Sequence, residues 1–198
     1  MESGRLSETL LVLRAQVGDD DAFEELFRHF SARTHRYLDQ LLGYPAADDA
    51  QQEVWVSVYR RISSLSDPQG FRSWLFQIAR NRAIDVLRRC KRERAILADE
   101  QWPTRIDEMA GESVSDADLR VDDGRISAGM AELSPEHREV LLLRFWEDLS
   151  YPEIALLVGA PVGTVRSRLH HAKRLLREQL ADVCPKRPIN QTREGDQR

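Results

Sequence analysis

Apolar residues in this chain recur every three to four positions and nowhere settle into the every-second-residue alternation of a half-buried strand. That single feature restricts the chain to an all-α class, because a period near 3.6 puts one stripe of side chains on one face of a helix. Phe23, Leu26, Phe27, Phe30, Tyr37, Leu38 and Leu41 mark a helix or helix pair over 20–42, and Gly43-Tyr44-Pro45 ends it. Val54, Val58 and Ile62 give a second helix over 47–62. The turn-rich SSLSDPQG at 63–70 separates it from a third over 71–93, whose expected core face is Phe71, Leu75, Ile78, Ala79, Val86 and Leu87.

The periodicity fades over 99–123, where Asp99, Glu100, Asp107, Glu108, Glu112, Asp116, Asp118, Asp122 and Asp123 make an acidic linker. A second helical unit follows at about 125–181. Ser134-Pro135 places an N-cap before a proline at the first helical position. Ser150-Tyr151-Pro152-Glu153 has capping-box spacing, Gly159-Ala160-Pro161 ends the short helix it starts, and 162–180 forms another. The polar tail from Pro185 reads as disordered. The resulting division is 1–95, 96–124, 125–182 and 183–198.

The net charge of −4 hides two basic blocks. One holds Arg72, Arg80, Arg82, Arg88, Arg89, Lys91, Arg92 and Arg94 against Asp85 and Glu93; the other holds Arg166, Arg168, Lys173, Arg174 and Arg177 without an acid. Such asymmetry points to nucleic acid. Cys90 and Cys184 lack CxxC spacing and nearby paired histidines, so neither a zinc site nor a disulfide framework is expected. No convergent acid–base or nucleophile group suggests catalysis, and no metal or cofactor is expected. No membrane span or signal-peptide core is seen, which points to the cytoplasm.

A short capped helix, a glycine turn and a longer basic helix form a helix-turn-helix. Within 162–180, Val165, Leu169, Ala172 and Leu176 make the inward stripe. Thr164, Ser167, His170, His171 and Arg174 face outward, flanked by Arg166 and Arg168, with Lys173 adding charge. Guanidinium forks suit guanine edges and phosphates, and short hydroxyls allow close approach to the backbone. The bland alternative is a solvated basic face. In the helix over 71–93, Trp74, Gln77, Asn81, Asp85 and Arg88 gather away from the apolar stripe. An aromatic plate, amides and a cation suit the unstacked bases of a single strand. For Trp74 core packing is an equal reading, and Arg82 lies near the apolar side, where it can snorkel or pair with an acid.

The tract LSPEHREVLLLRFWEDLSYPEIALLVGAPVGTVRSRLHHAKRLLREQL, above all EIA, PVGTVRSRL and AKRLLR, resembles the fourth conserved region of extracytoplasmic-function sigma factors of the sigma-70 family. DDAQQEVWVSVYRRI resembles that family's polymerase-docking helix, and FRSWLFQIARNRAIDVLRR its promoter-melting helix. With Gly18-Asp19 and Ala22-Phe23 the resemblance reaches to about residue 181. Pro152 and His171, where arginine is common, depart from the pattern.

The resemblance implies a transcription initiation factor without chemistry of its own, built from a region 2 bundle and a region 4 helix-turn-helix. Its implied partners are core RNA polymerase, through the largest-subunit coiled coil and the flap, promoter DNA and an anti-sigma factor. It assigns minus-ten DNA to Leu65, Ser66, Asp67, Arg72, Trp74, Gln77, Arg80, Asn81, Arg88 and Arg89, with loop 63–70 and Asn81 forming a pocket for a flipped base. Minus-thirty-five DNA falls to Thr164, Arg166, Ser167, Arg168, His171, Lys173 and Arg174. Polymerase docking falls to Asp49, Gln52, Glu53, Trp55 and Tyr59, with the aromatics as exposed anchors. The acidic linker is either a tether or, as in relatives, a phosphate mimic in the polymerase channel. A decoy that binds an anti-sigma factor without reading promoters is the competing function.

Overall fold

The computed structural model describes residues 2–97, 129–130 and 132–182, so the acidic linker, the tail and Cys184 lie outside the described residues. Seven α-helices are described: α1 Glu2–Gln16, α2 Asp20–Leu42, α3 Ala46–Arg61, α4 Phe71–Leu97, α5 Pro135–Leu141, α6 Tyr151–Val158 and α7 Val162–Asp182. No strand occurs among the described residues.

The N-terminal unit is held by a stripe on α2. Ala22, Leu26, Phe30, Thr34, Tyr37 and Leu38 are buried at steps of three and four. Asp19 starts α2 by accepting the Ala22 N–H at 3.0 Å, with Asp20 and Asp21 favouring the positive end of the helix. Gly43, at φ +72°, ends it with its N–H on the Asp39 carbonyl at 2.8 Å. The helix α3 contributes Val54, Trp55 and Val58, and α4 contributes Phe71, Leu75, Phe76, Ile78, Ala79 and Ala83. Two of the expected core positions on α4 are otherwise placed: Leu87 is exposed and Val86 half-buried, because the neighbouring helices no longer cover α4 there.

The helix α1 is an element the periodicity did not announce. Leu11, Val12 and Ala15 are buried, while Leu6, Leu10, Leu13 and Val17 are exposed. Apolar residues on two faces blur the single-stripe signal. Gln16 closes the unit by donating to the carbonyls of Ile62 and Leu65 at 3.0 and 2.6 Å. Between α3 and α4 the chain makes two single 3₁₀ turns, Ile62–Ser64 and Pro68–Gly70.

In the C-terminal unit Ser134 and Pro135 start α5, which continues through a π-helical turn at Leu142–Trp146. The capping box is complete: Ser150 N–H donates to Glu153 Oε2 at 2.7 Å, and the Ser150 hydroxyl accepts from the Glu153 N–H. Pro152 falls in the first turn of α6, where its missing N–H costs no helical bond. Gly159, at φ +68°, ends α6 in the left-handed conformation. Val165, Leu169 and Ala172 of α7 are buried, and α7 packs on both α5 and α6.

The two units pack on one another, α2 against α5 and α4 against α6. The seam is polar. The Tyr37 hydroxyl donates to Glu139 Oε1 at 2.8 Å, Arg80 Nε reaches the same oxygen at 2.8 Å, and Arg138 donates to the Gln40 carbonyl at 3.2 Å. Arg33 pairs with Glu147 at 3.1 Å and also donates to the Trp146 carbonyl.

Candidate nucleic-acid interfaces

The residues expected to meet a single strand share one face of α4. Trp74, Gln77, Asn81 and Arg88 follow one another at helical steps on the side opposite Leu75, Phe76 and Ala79. Gln77 Nε2 donates to Asn81 Oδ1 at 3.1 Å, which orients both amides, and Asn81, Arg88 and Arg89 are exposed. Trp74 is half-buried, its ring tilted against Phe71 at 6.1 Å. It is thus both packing and surface.

Two arginines of the set are committed elsewhere. Arg72 forks onto Glu8 of α1, with Nη2 2.6 Å and Nε 2.8 Å from its carboxylate oxygens. That pairing holds its guanidinium above the ordinary arginine range. Arg80 is turned to Glu139 across the seam. Arg82, as its place near the apolar side suggests, pairs with an acid, Glu53 of α3. In the loop, Ser66 is exposed, whereas Leu65 packs half-buried on the core. The Asp67 carboxylate accepts the Gln69 N–H at 3.0 Å and thereby shapes the turn before α4.

On α3, Asp49, Gln52, Glu53 and Tyr59 are exposed. Trp55 corrects the expectation. It is 5% exposed, edge-on to Phe23 and Phe27 at 6.0 and 5.0 Å, with Nε1 donating to Thr34 Oγ1 at 3.2 Å. A buried indole is core, not an exposed anchor. Val56, half-exposed at 50%, takes its place in the outer stripe of Asp49, Gln52, Glu53 and Val56. That 49/52/53/56 spacing was present in the sequence, but a lone valine reads as core. Tyr59 stands edge-on to Phe23 at 5.0 Å with its ring largely in solvent.

The helix α7 turns Arg166, Ser167, His170, His171 and Arg174 outward. The Ser167 hydroxyl donates back to the Thr164 carbonyl at 2.9 Å, and Thr164 is half-buried. Arg174 bridges Glu178 at 3.1 Å and lies 3.2 Å from His171 Nδ1. Arg168 is tied to Glu136 of α5 at 2.5 Å. Lys173 stands over the Phe145 ring at 4.7 Å, a cation–π contact that draws it to the flank. One residue was missed: His137 of α5 lies ring to ring with His171 at 5.0 Å and lines an open hollow with Arg166, Ser167, Arg168 and His170. Partial burial, with His171 and Arg168 beside it, holds its imidazole below the ordinary histidine range. Neither α5 nor a residue 34 positions from His171 is implied by the spacing within α7.

Among the described residues no group of three or more His, Cys, Asp or Glu is placed to hold a metal ion, and no helix is long and apolar enough to cross a membrane.

Glu147 is the odd group of the seam. Only 3% exposed, it has its Oε2 beside Arg33 Nε without hydrogen-bond alignment. Burial outweighs the attraction of Arg33, Arg72 and Arg36 and pushes its carboxyl from 4.5 up to about 7. Between those values the folded chain holds a proton that the unfolded chain releases. The stabilisation is therefore complete below pH 4.5 and is lost as pH rises through about 7. Glu147→Gln is expected to melt higher than the parent at pH 8, with the difference shrinking toward pH 5. A difference of equal size at both pH values would refute this.

Comparison with known proteins agrees with the two-unit layout. The family model for sigma-70 region 2 matches residues 26–93, and that for sigma-70 region 4 matches residues 124–176. The chain is 28% identical over 179 residues to the ECF RNA polymerase sigma factor SigW of Bacillus subtilis, covering 87% of this chain and 96% of that one. It is 32% identical over 160 residues to the ECF RNA polymerase sigma factor SigL of Mycobacterium tuberculosis, covering 80% and 88%. In fold it is similar to the sigma factor RpoE from Bartonella quintana, solved in complex with the anti-sigma factor NepR, with a TM-score of 0.61 at 22% identity over 80% of this chain and 96% of that one.

Proposed function

Because the chain belongs to the extracytoplasmic-function sigma factors of the sigma-70 family, we propose that it binds core RNA polymerase and directs transcription initiation at particular promoters. One observation carries the reading: two outward faces, cations and amides on α4 and cations, a hydroxyl and imidazoles on α7, stand on two units that match sigma-70 regions 2 and 4 in order. The units correspond to 1–95 and 125–182, joined through 96–124 and followed by the tail 183–198.

In this reading Asn81, oriented by Gln77, contacts a minus-ten base exposed by strand separation, with Trp74 as stacking plate and Ser66 and Asp67 at the pocket rim. Leu65 shapes that rim from below, and Arg88 and Arg89 hold the strand's phosphates. Arg72 and Arg80 join them only after leaving their carboxylate partners. On α7, Arg166, Ser167, His171 and Arg174 read or grip the minus-thirty-five duplex, Thr164 sets the helix entry, and Arg168 and Lys173 support the flanks. The outer stripe of α3, Asp49, Gln52, Glu53 and Tyr59 with Val56, docks the polymerase coiled coil, and the C-terminal unit meets the flap. The factor performs no reaction of its own, works in the cytoplasm where polymerase and DNA meet, and is held in check by an anti-sigma factor.

Run-off transcription over a pool of genomic fragments, with purified core polymerase, tests the reading. Defined start sites that depend on the factor are expected. Asn81→Ala should cost about 1–3 kcal/mol at one minus-ten base and little once the bubble is pre-opened. No start site above core polymerase alone would sink the proposal and leave the decoy reading in front.

A further inference from the structure

Two imidazoles from different helices face one another beside the candidate reading face of α7. His137 stands half-buried in the first turn of α5, which packs on α7. The ring of His171 lies 5.0 Å from it, and the hollow they share with Arg166, Arg168 and His170 has no carboxylate in its lining. Fixed positive charge at the rim makes this a place for an anion, not a cation.

On each ring one nitrogen is already engaged. Arg174 Nη2 lies 3.2 Å from His171 Nδ1, and Ser134 Oγ lies 2.8 Å from His137 Nδ1. Nε2 is the nitrogen left to each ring for a further partner. A guanidinium only donates, so His171 Nδ1 accepts and the neutral ring carries its proton on Nε2. Protonating His171 would set an N–H against Arg174. His137 has no such obstacle, because a hydroxyl oxygen can accept from a protonated Nδ1.

The charges that act on His137 come from α5 and α7. Burial, and after it His171 and Arg168, hold its imidazole below the ordinary histidine range, against the pull of Glu136. The free chain therefore keeps this ring neutral at neutral pH. A phosphate oxygen in the hollow reverses the balance, because a nearby negative charge favours the protonated form.

We propose that His137 is a proton-operated phosphate contact: a backbone phosphate of the duplex on α7 enters the hollow and accepts from Nε2 of His171 and of protonated His137, with Arg166 beside it. The inference rests on the duplex-reading role proposed above for α7. It adds a contact from a helix outside the helix-turn-helix, and a dependence on pH. Binding takes up a proton, so affinity is highest below the titration midpoint of the free ring and falls as pH rises through the midpoint of the bound one.

The test uses the full-length chain and a fluorescein-labelled mixed-sequence duplex of about twenty base pairs, titrated at low, matched ionic strength. From pH 8 to pH 6 the parent should gain affinity by about three- to tenfold more than His137→Gln, within the hundredfold limit for one proton over that span. His137→Arg, with a permanent charge, should bind at pH 8 nearly as well as the parent does at pH 6, and its pH dependence should match that of His137→Gln. A merely structural role would not produce that gain. In the parent, the proton resonance of the His137 ring should titrate at higher pH when duplex is added, a measurement that stands even if a variant folds poorly. An equal pH gain in parent and His137→Gln, or a His137 midpoint that duplex does not move, would overturn the contact. A midpoint raised as far by inorganic phosphate at the same ionic strength would overturn its assignment to DNA. Absence of start sites in run-off transcription would sink the promoter reading, while the duplex titrations still decide the fate of His137.

Discussion

Trp55→Ala is expected to destabilise the N-terminal unit by about 3–5 kcal/mol, the usual cost of emptying a buried large aromatic. The indole is 5% exposed, is flanked edge-on by Phe23 and Phe27, and its Nε1–H donates to a Thr34 hydroxyl that is itself fully buried. Truncation leaves a cavity between α2 and α3 and removes one partner of that hydroxyl, which still donates to the Phe30 carbonyl at 3.0 Å. Polymerase binding should therefore fall through loss of fold. Tyr59→Ala is the contrast: its ring is 57% exposed, and its removal should change stability by less than about 1 kcal/mol. Urea titration followed by circular dichroism separates the two. A Trp55→Ala protein within about 1 kcal/mol of the parent would return the indole to the surface role that the sequence first suggested.

That reversal shows where sequence reading stops. Signals carried by adjacent residues were legible: the Ser150–Glu153 capping box, the stop at Gly159, the Ser134 cap, and the inward stripe Val165, Leu169 and Ala172 all form. Each depends on spacing within one helix or turn, which the chain itself fixes. On α3 both Trp55 and Val56 fit an amphipathic pattern, and a rotation of about 100° per residue decides which of them is buried. Chemistry favoured the indole as an anchor; packing against Phe23 and Phe27 put Val56 outside instead.

Ionic partners were the least legible. Arg72, Arg80 and Arg82 read as one basic block, yet their carboxylates come from Glu8, Glu139 and Glu53, on three other helices. Nothing in a linear charge pattern records a partner 59 residues away, as Glu139 is from Arg80. The consequence is functional. A basic block in sequence overstates the positive field available to a nucleic acid, and only part of this one faces outward.

On α7 the same distinction between inward and outward positions predicts effects of different kind. Val165→Asp should unfold the C-terminal unit. Val165 is fully buried in the hydrophobic core, and an unpaired carboxylate there costs several kcal/mol unless it takes a proton or the structure opens. Arg166→Ala, at an exposed position rotated about 100° from Val165 around the helix, should leave the fold intact. As a phosphate contact it should weaken all minus-thirty-five sequences alike and reduce the log–log salt slope by about one unit. As a base contact it should relax preference at one position by about 1–3 kcal/mol and spare the rest. Thermal melts of the isolated chain, then salt titrations of the polymerase-bound complex, read the two variants in turn. A Val165→Asp protein that melts like the parent would contradict the packing of α7, because burial of that side chain is what fixes which of its faces can meet DNA. Arg166→Ala with both salt slope and base preference unchanged would remove that side chain from the interface.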